Sequence, residues 1–519
     1  MLGLLSFQFI TVDPKTQRYM TEDGRQIVFH GMNAVTKLPP YLPNISGPFD
    51  SEFSLNEQDA IFLKMHGINM IRLGIMWPGV MPQQDQVNFT YLNEAKKIID
   101  MLGKYGIYTL VDMHQDVLSS YFCGEGVPDW AVPYERKGVP NFAKPIIPEM
   151  ERDPVTHKIA WETCLKTNFG VYYETALVGN MFECLYNQSC NPFAPFKQDG
   201  KPEKDLILQV EMQKFWAAVA KFFKDNQFVI GYDIINEPIA GDLWEHPGNY
   251  VNTGKFEKEV LQPFYQNMMK AIYAEDKNHI IFFEPVVSSI TKAGFDVGGP
   301  GAAIGIPPEL QTYAWHLYCM TMDKNGDPIQ PKILCEAQDA FWYSQRNNSG
   351  VHLGLSQFID EFGALPDDEV SRENLEQQVS MFSKDAKSWA YWQYKPFGDI
   401  TTVFNSQSER NEGMFNKDGT LQTLKDKILT HPYASNIAGK IQGAAFNFTT
   451  ETLTLKFTTG KIGTYTEVHI GQLWKGFGFE SVFIQGKNAV QITIDANQNY
   501  QMVKITNLAE NQSVEVMIW

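Results

Sequence analysis

No run of about 18 apolar residues occurs in this 519-residue chain, so no segment reads as a membrane-spanning helix. Clusters of positive charge are missing too. Forty-three Lys and Arg stand against 60 Asp and Glu, and a net charge of −17 speaks against a phosphate-backbone partner, so no nucleic acid is expected. There is no Cys-x-x-Cys pair, which argues against a zinc or dithiol site. No internal repeat or low-complexity tract interrupts the chain.

Cysteine is scarce but even in number. Six occur, at Cys123, Cys164, Cys184, Cys190, Cys319 and Cys335. Loop economy favours Cys184–Cys190 and Cys319–Cys335, which leaves Cys123–Cys164. Six Asn-x-Ser/Thr sequons begin at Asn44, Asn88, Asn187, Asn347, Asn447 and Asn511. Together they point to a secretory route and a secreted, extracellular or lumenal setting of digestive type. Met1 to Ile10 is apolar but lacks a basic start and a clear cleavage site.

Aromatic residues are plentiful at 13%. They fill cores, and Trp and Tyr faces also stack on sugar rings. Short apolar runs alternate with helical patterns. The runs are Ile27–Asn33, Asn69–Ile75, Ile107–His114, Phe228–Asn236, Ile280–Glu284, Thr312–Tyr318, Leu355–Glu361 and Trp389–Tyr394. Asn56–His66 reads as a helix stopped by Gly67, and Thr90 as the cap of a helix ended by Gly106. Eight buried strands with helical spacers predict an α/β fold, a (β/α)₈ barrel over residues 1–432. More than 100 residues separate strands three and four. Lys204–Asp225 is the expected barrel helix, and about 119–201 is an expected insertion over the barrel mouth. Residues 433–519 form a second domain, with alternating stretches over Phe446–Trp519 that predict a small β-sandwich.

Two glutamates end apolar strands. Asn236-Glu237-Pro238 closes strand four, where a carboxyl suits general acid work, or alternatively a cap or an ion pair. Glu361 closes strand seven beside Asp360. Strand alternation sends only one of these two into the mouth. Asp112-x-His114-x-Asp116 follows strand three and reads either as a sugar-hydroxyl reader or as a metal site. No second His cluster supports a metal, and none is expected; no cofactor is expected either.

Asn-Glu-Pro on strand four and Glu-Phe-Gly on strand seven resemble the retaining (β/α)₈ glycosidases, glycoside hydrolase family five in particular. Arg72, His114, His316, Tyr318 and Trp392 match that pattern in order. The block from Asp112 to Val132 resembles endoglycoceramidases, and the sequons and cysteines suggest an animal-type member. The resemblance implies that Glu361 is the nucleophile and Glu237 the acid/base. It implies that Arg72 and Tyr318 hold Glu361, and that Asn236 bonds the sugar 2-hydroxyl. Asp112, His114 and Asp116 then read hydroxyls, Trp392 stacks under the ring, and Lys37 and His316 contact the sugar. The implied substrate is a glycosphingolipid, cut between glycan and ceramide, with transient contact to a membrane surface. Tyr121, Phe122, Trp130 and Phe142 are candidates for an apolar groove wall. A β-glucosylceramidase or galactosylceramide-specific hydrolase of the same family is the alternative, and a non-catalytic glycolipid-binding protein a further one.

Overall fold

Strands buried on both faces need apolar side chains on both, and the eight apolar runs meet that need by pairing in parallel. The computed structural model describes residues 9–140, 150–166, 169–196, 201–289, 291–319, 331–401, 411–474, 482–496 and 501–519. The runs become β1 (His30–Ala34), β2 (Met70–Gly74), β3 (Tyr108–Asp112), β4 (Val229–Asp233), β5 (Ile280–Phe283), β6 (Gln311–Leu317), β7 (Ser356–Phe362) and β8 (Ser388–Tyr391). β8 pairs with β1, so the barrel closes and has no edge. Most strands end a residue or more before the apolar run does. The leftover residues, such as Asn236 and Glu284, form the first step of each mouth loop.

Helices between the strands obey local rules. Asn56 and Asp59 make a reciprocal capping box ahead of Glu57–Met65, and Gly67 leaves the helix at φ +80°. The helix Phe89–Lys104 is capped by Asn88, whose side chain accepts from the Tyr91 amide; Thr90, the expected cap, lies inside the helix. The expected helix before β4 spans Leu208–Phe223.

The segment between β3 and β4 is folded, with short helices at Trp161–Cys164 and Ala176–Tyr186. Cys123–Cys164 and Cys184–Cys190 staple it, and Cys319–Cys335 ties the loop after β6 to the next helix. This is the pairing that loop economy favoured. Phe122 is buried and is a packing residue, not a groove wall, while Trp130 is partly buried and its indole donates to the Met81 carbonyl at 2.8 Å. Tyr121 is partly buried against the same core, and Phe142 lies outside the described residues.

Beneath the barrel the chain does something that periodicity did not reveal. Residues 11–27, expected as part of the barrel domain, pair with the C-terminal strands. Thr11–Asp13, Arg18–Met20 and Gln26–Ile27 form three edge strands of a seven-stranded sheet that continues through Tyr433–Ile437. Side chains of the same segment turn into the barrel. Ile10, Val12 and Tyr19 join Phe29, Leu110, Phe282 and Phe358 in one buried apolar cluster. A four-stranded sheet, built from Gly439–Asn447, Thr452–Thr459, Ser513–Ile518 and Val482–Gln485, faces the seven-stranded one. Leu455, Phe457, Val468, Val503, Ile505 and Val516 are fully buried between them.

The joint between barrel and sandwich carries buried histidines. The His30 ring stacks on Tyr433 at 3.5 Å and on Trp389 at 4.2 Å. Burial pushes His30 well below its ordinary value, His431 down to about 4 and His469 down to about 3. These rings are neutral in the fold but take up a proton near 6.5 when unfolded. Their contribution is therefore complete above pH 6.5 and is lost as pH falls toward 4 and 3. Thermal melts between pH 7 and 4 should show a steep drop in Tm. His30→Phe, which keeps the stacking and cannot titrate, should flatten that slope. The stabilisation lost through each ring is on the order of a few kcal/mol.

Candidate active site

One buried guanidinium organises the mouth. Arg72 on β2 is fully buried, so its charge must be paired where it sits. It donates to Asp112 at 3.1 Å, Asp233 at 2.9 Å, Glu361 at 2.6 Å, Asn33 at 3.2 Å and Asn236 at 3.0 Å. Glu284 lies 3.5 Å away. The planar fork lets one side chain serve acceptors from β1, β3, β4, β5 and β7 together.

Glu237 and Glu361 project from the ends of β4 and β7. One carboxylate oxygen of each and a His316 nitrogen lie within 4.8 Å of one another. His316 Nδ1 is 2.8 Å from Glu237 Oε1 and 3.3 Å from Glu361 Oε2. Tyr318 donates its hydroxyl to Glu361 Oε2 at 2.8 Å. Glu361 thus receives Arg72 on one oxygen and Tyr318 on the other, which suits a carboxylate kept ionised. Burial raises Glu237, the His316 hydrogen bond and charge pull it back, and the neighbouring Glu361 raises it again; the net displacement is upward. Glu237 also sits at φ 46°, a left-handed conformation that costs a residue with a Cβ about 1–3 kcal/mol. Past Glu361 the chain turns at Gly363, φ +91°, where a Cβ would come within 2.2 Å of the Tyr391 ring.

The alternation argument for Asp360 and Glu361 needs correction. The β7–β6 register shifts between Phe358 and Glu361, and both carboxylates turn inward. Asp360 lies deeper, fully buried, 3.7 Å from His316 Nε2 and 4.0 Å from Arg72. Burial first, and the Glu284 charge second, push Asp360 up to about 7.

A second cation stands beside this pair. Lys37, in the loop after β1, is fully buried and reaches Asp116 at 2.6 Å, Thr401 at 2.6 Å and Asp399 at 3.0 Å. Glu125 of the segment over the mouth is 3.7 Å from it. His114 Nδ1 meets Asp112 at 2.9 Å and Nε2 is 3.5 Å from Asp116. Burial opposes the charge on His114, but the two aspartates outweigh it and bring it up to about 9. Trp392, just past β8, lies parallel to the His114 ring at 5.1 Å and under Lys37 Nζ at 4.9 Å. Its exposure is only 2%, so its free face is narrow.

The structure brings every expected site residue to one end of the barrel, but at different depths. Glu237, Glu361, His316 and Tyr318 meet directly. Lys37, His114, Asp116 and Trp392 form the neighbouring group. Arg72 and Asp112 are fully buried and act through others: Asp112 spends one oxygen on Arg72 and the other on His114, and does not reach the sugar side. Asn236 is 1% exposed; its amide donates to the Gln115 carbonyl and its oxygen accepts from Arg72. Among the described residues, three groups of acidic and His side chains are close enough to share a cation: His114 with Asp116 and Glu125, Glu237 with His316 and Glu361, and Glu284 with His316 and Asp360. Lys37 stands against the first of these groups, and Arg72 against the other two.

Sequence reasoning missed Glu284, Asp233, Gln115, Glu125, Asp399 and Thr401. Glu284 had a readable signal, because it ends strand five just as Glu237 follows strand four. Gln115 donates to the Asn236 carbonyl at 2.7 Å and so ties the β3 loop to the acid/base segment. Asp399 and Thr401 come from the loop after β8, whose path no periodicity encodes.

A family profile described as cellulase, glycosyl hydrolase family 5, matches residues 21–398. The chain belongs to glycoside hydrolase family 5. The family's C-terminal domain profile matches residues 431–518. An endoglycoceramidase of Hydra vulgaris is 32% identical over 455 residues, covering 88% of this chain and 78% of its own length. One of Cyanea nozakii is 31% identical over 448 residues, 86% of this chain and 81% of its own. Endo-glycoceramidase II from a Rhodococcus species, solved as a lactosyl-enzyme intermediate, superposes with a TM-score of 0.70 at 21% identity. That match covers 96% of this chain and 98% of that one. The overall barrel-plus-sandwich fold is thus shared at low sequence identity.

The Tyr318 hydroxyl gives its proton to Glu361 alone among its described partners. Tyr318→Phe should leave the melting temperature nearly unchanged while lowering kcat/KM on an aryl β-lactoside roughly ten- to a hundredfold, the value of one hydrogen bond to a charged group.

Proposed function

We propose that the chain is an endo-acting, retaining glycosidase that hydrolyses the β-glycosidic bond between the oligosaccharide and ceramide of glycosphingolipids, releasing intact glycan and ceramide. The observation that carries the reaction type is the closeness of the two carboxylates. One oxygen of Glu237 and one of Glu361 lie within 4.8 Å of each other, a closeness that fits retaining pairs, about 5–5.5 Å apart, better than inverting pairs, about 6.5–9.5 Å apart. The substrate class is supported by the similarity to endoglycoceramidases over most of the chain.

In this reading Glu361 attacks the anomeric carbon of the sugar next to ceramide as the bond to the ceramide oxygen breaks. Glu237 gives that oxygen its proton, and ceramide leaves as an alcohol. The glycan is then an ester of Glu361, whose charge is gone. With it goes the repulsion that helped raise Glu237, so Glu237 holds its proton less tightly and can take one from water. That water attacks the anomeric carbon from the face ceramide left, Glu361 departs as carboxylate, and the β configuration is restored. Arg72 and Tyr318 hold the carboxylate in line before attack and receive it afterwards. His114 and Asp116 offer charged hydrogen-bonding partners to the sugar hydroxyls beside them, Lys37 holds Asp116 in place from behind, and Trp392 offers an apolar face. Beyond Lys37, a cavity of about 730 Å³ opens among Leu38, Pro40, Leu42, Phe53, Tyr91 and Phe397.

The setting is inferred from three disulfides and six sequons, which fit a secreted or lumenal protein. Among the described residues no helix is long and apolar enough to cross a membrane. The lipid substrate would then be met by transient contact at a membrane surface.

Incubation with ganglioside GM3 in detergent should yield free ceramide and the intact oligosaccharide, both read by mass spectrometry. Glucose release from glucosylceramide, with no cleavage of GM3, would shift the reading to a β-glucosylceramidase. Glu361→Ser should cut turnover roughly a thousandfold or more while GM3 binding persists. Full activity in that variant would remove Glu361 from the nucleophile's role.

A further inference from the structure

Glu284 ends the β5 segment and faces the acid/base from behind. One of its oxygens, Oε2, accepts from the backbone N–H of Glu237 at 3.1 Å. The other, Oε1, lies 3.4 Å from His316 Nε2 and 3.5 Å from Arg72. Its own backbone is pinned, because the Tyr265 hydroxyl donates to the Glu284 carbonyl at 2.8 Å and accepts from the Glu284 amide at 3.3 Å. Its exposure is 2%, so water does not dilute these contacts.

We propose that Glu284 is a positioning residue of the glycosidase reaction. Through one oxygen it holds the left-handed backbone of Glu237. Through the other it keeps a charged His316 ring between the two reacting carboxylates. The proposal rests on the reading of Glu237 as acid/base.

Two observations converge on it. The first is geometric. Glu237 occupies φ 46°, a conformation that a residue with a side chain adopts at a cost, and the Glu284 carboxylate bonds the amide at that residue. The second is electrostatic. His316 presents Nδ1 to Glu237 and Glu361 and Nε2 to Glu284 and Asp360, with the Tyr318 ring edge-on at 6.2 Å. Burial would strip a proton from this ring. The charges of Glu284, Glu361 and Asp360, in that order, and the bond to Glu237 outweigh burial and hold His316 well above its ordinary value. Glu284 in turn is faced by Arg72 and His316, with Asp233, Asp360 and Tyr265 close enough to feel its charge. Glu284 touches neither reacting carboxylate, so its charge reaches them through His316.

The chemical consequence falls on Glu237. A charged His316 at 2.8 Å favours the ionised carboxyl, the form Glu237 takes after protonating the leaving oxygen and the form it needs as base in the second step. Burial pulls the other way. Glu284 thereby sets how readily the acid/base lets its proton go.

The test uses the full-length protein with 2,4-dinitrophenyl β-lactoside and with GM3. Histidine-selective ¹⁵N NMR follows His316, one of 10 histidines, assigned by difference with His316→Gln. In the native protein His316 should stay charged beyond pH 8. In Glu284→Gln its titration midpoint should fall by about one unit or more. The basic limb of kcat/KM on GM3, set by Glu237, should move to higher pH, and kcat should fall on the order of tenfold. The melting temperature should hold or rise, since a buried like charge has gone. Glu284→Asp, which keeps the charge on a shorter arm, should retain the native pH limb. A folded Glu284→Gln with an unmoved His316 titration and an unmoved pH limb overturns the proposal. If that variant does not fold, native His316 decides: titration near 6.5 overturns the proposal equally well. Glu237→Gln separates the underlying reading. It should still form the glycosyl-enzyme from the dinitrophenyl substrate, and azide should restore turnover. Without azide rescue the acid/base reading fails, whatever Glu284 does.

Discussion

The site depends on one buried ion-pair network, that of Arg72. A guanidinium sealed inside a barrel is costly unless its donors are all met, and the network meets them with side chains from five other strands. The same contacts that neutralise Arg72 fix the relative heights of Asn33, Asp112, Asp233, Asn236 and Glu361. A lysine could balance one charge there, but it could not span that set of directions. The barrel supplies the ring of strands, and Arg72 decides what their upper ends share.

Negative charge exceeds what Arg72 can balance. Asp112, Asp233, Glu284, Asp360, Glu361 and Glu237 crowd the region below the mouth, with His316 as the second cation. Burial and mutual repulsion push Asp360 up to about 7 and hold Asp233 well above the usual carboxylate range. Both shifts ease the crowding of negative charge beneath Glu237 and Glu361. Lys37 and His114 form a separate positive centre one step to the side, with Asp116, Asp399 and Glu125 around it.

The lower end of the barrel is closed by its own N-terminal segment. Val12 and Tyr19 fill the barrel floor while their backbone extends the C-terminal sheet. Loss of the sandwich would therefore unpair the strands that seal the barrel. The histidines at that joint add a second coupling, because protonating them penalises both halves together.

Much of this was legible in the chain. The eight apolar runs named all eight barrel strands, since a doubly buried strand must be apolar throughout. Alternation over Phe446–Trp519 named a sandwich, and even the cysteine pairing followed from loop length. Glu237 and Glu361 stood out as carboxyls at the ends of apolar strands, and the choice of Glu361 over its neighbour Asp360 came from the family resemblance. What the sequence could not express is depth and partnership. Asp112 and His114 read alike in the chain, yet Asp112 braces Arg72 while His114 joins the group around Lys37 and Asp116. Asp360 and Glu361 were to point opposite ways, until a register shift turned both inward. Glu284, Asp399 and Thr401 acquire meaning only through residues far away in sequence. Local sequence determines which segments pair and where they stop, because periodicity and burial act over a few residues. Tertiary structure alone decides which charges share one space, because that depends on closing the barrel and on loops whose course no repeat records.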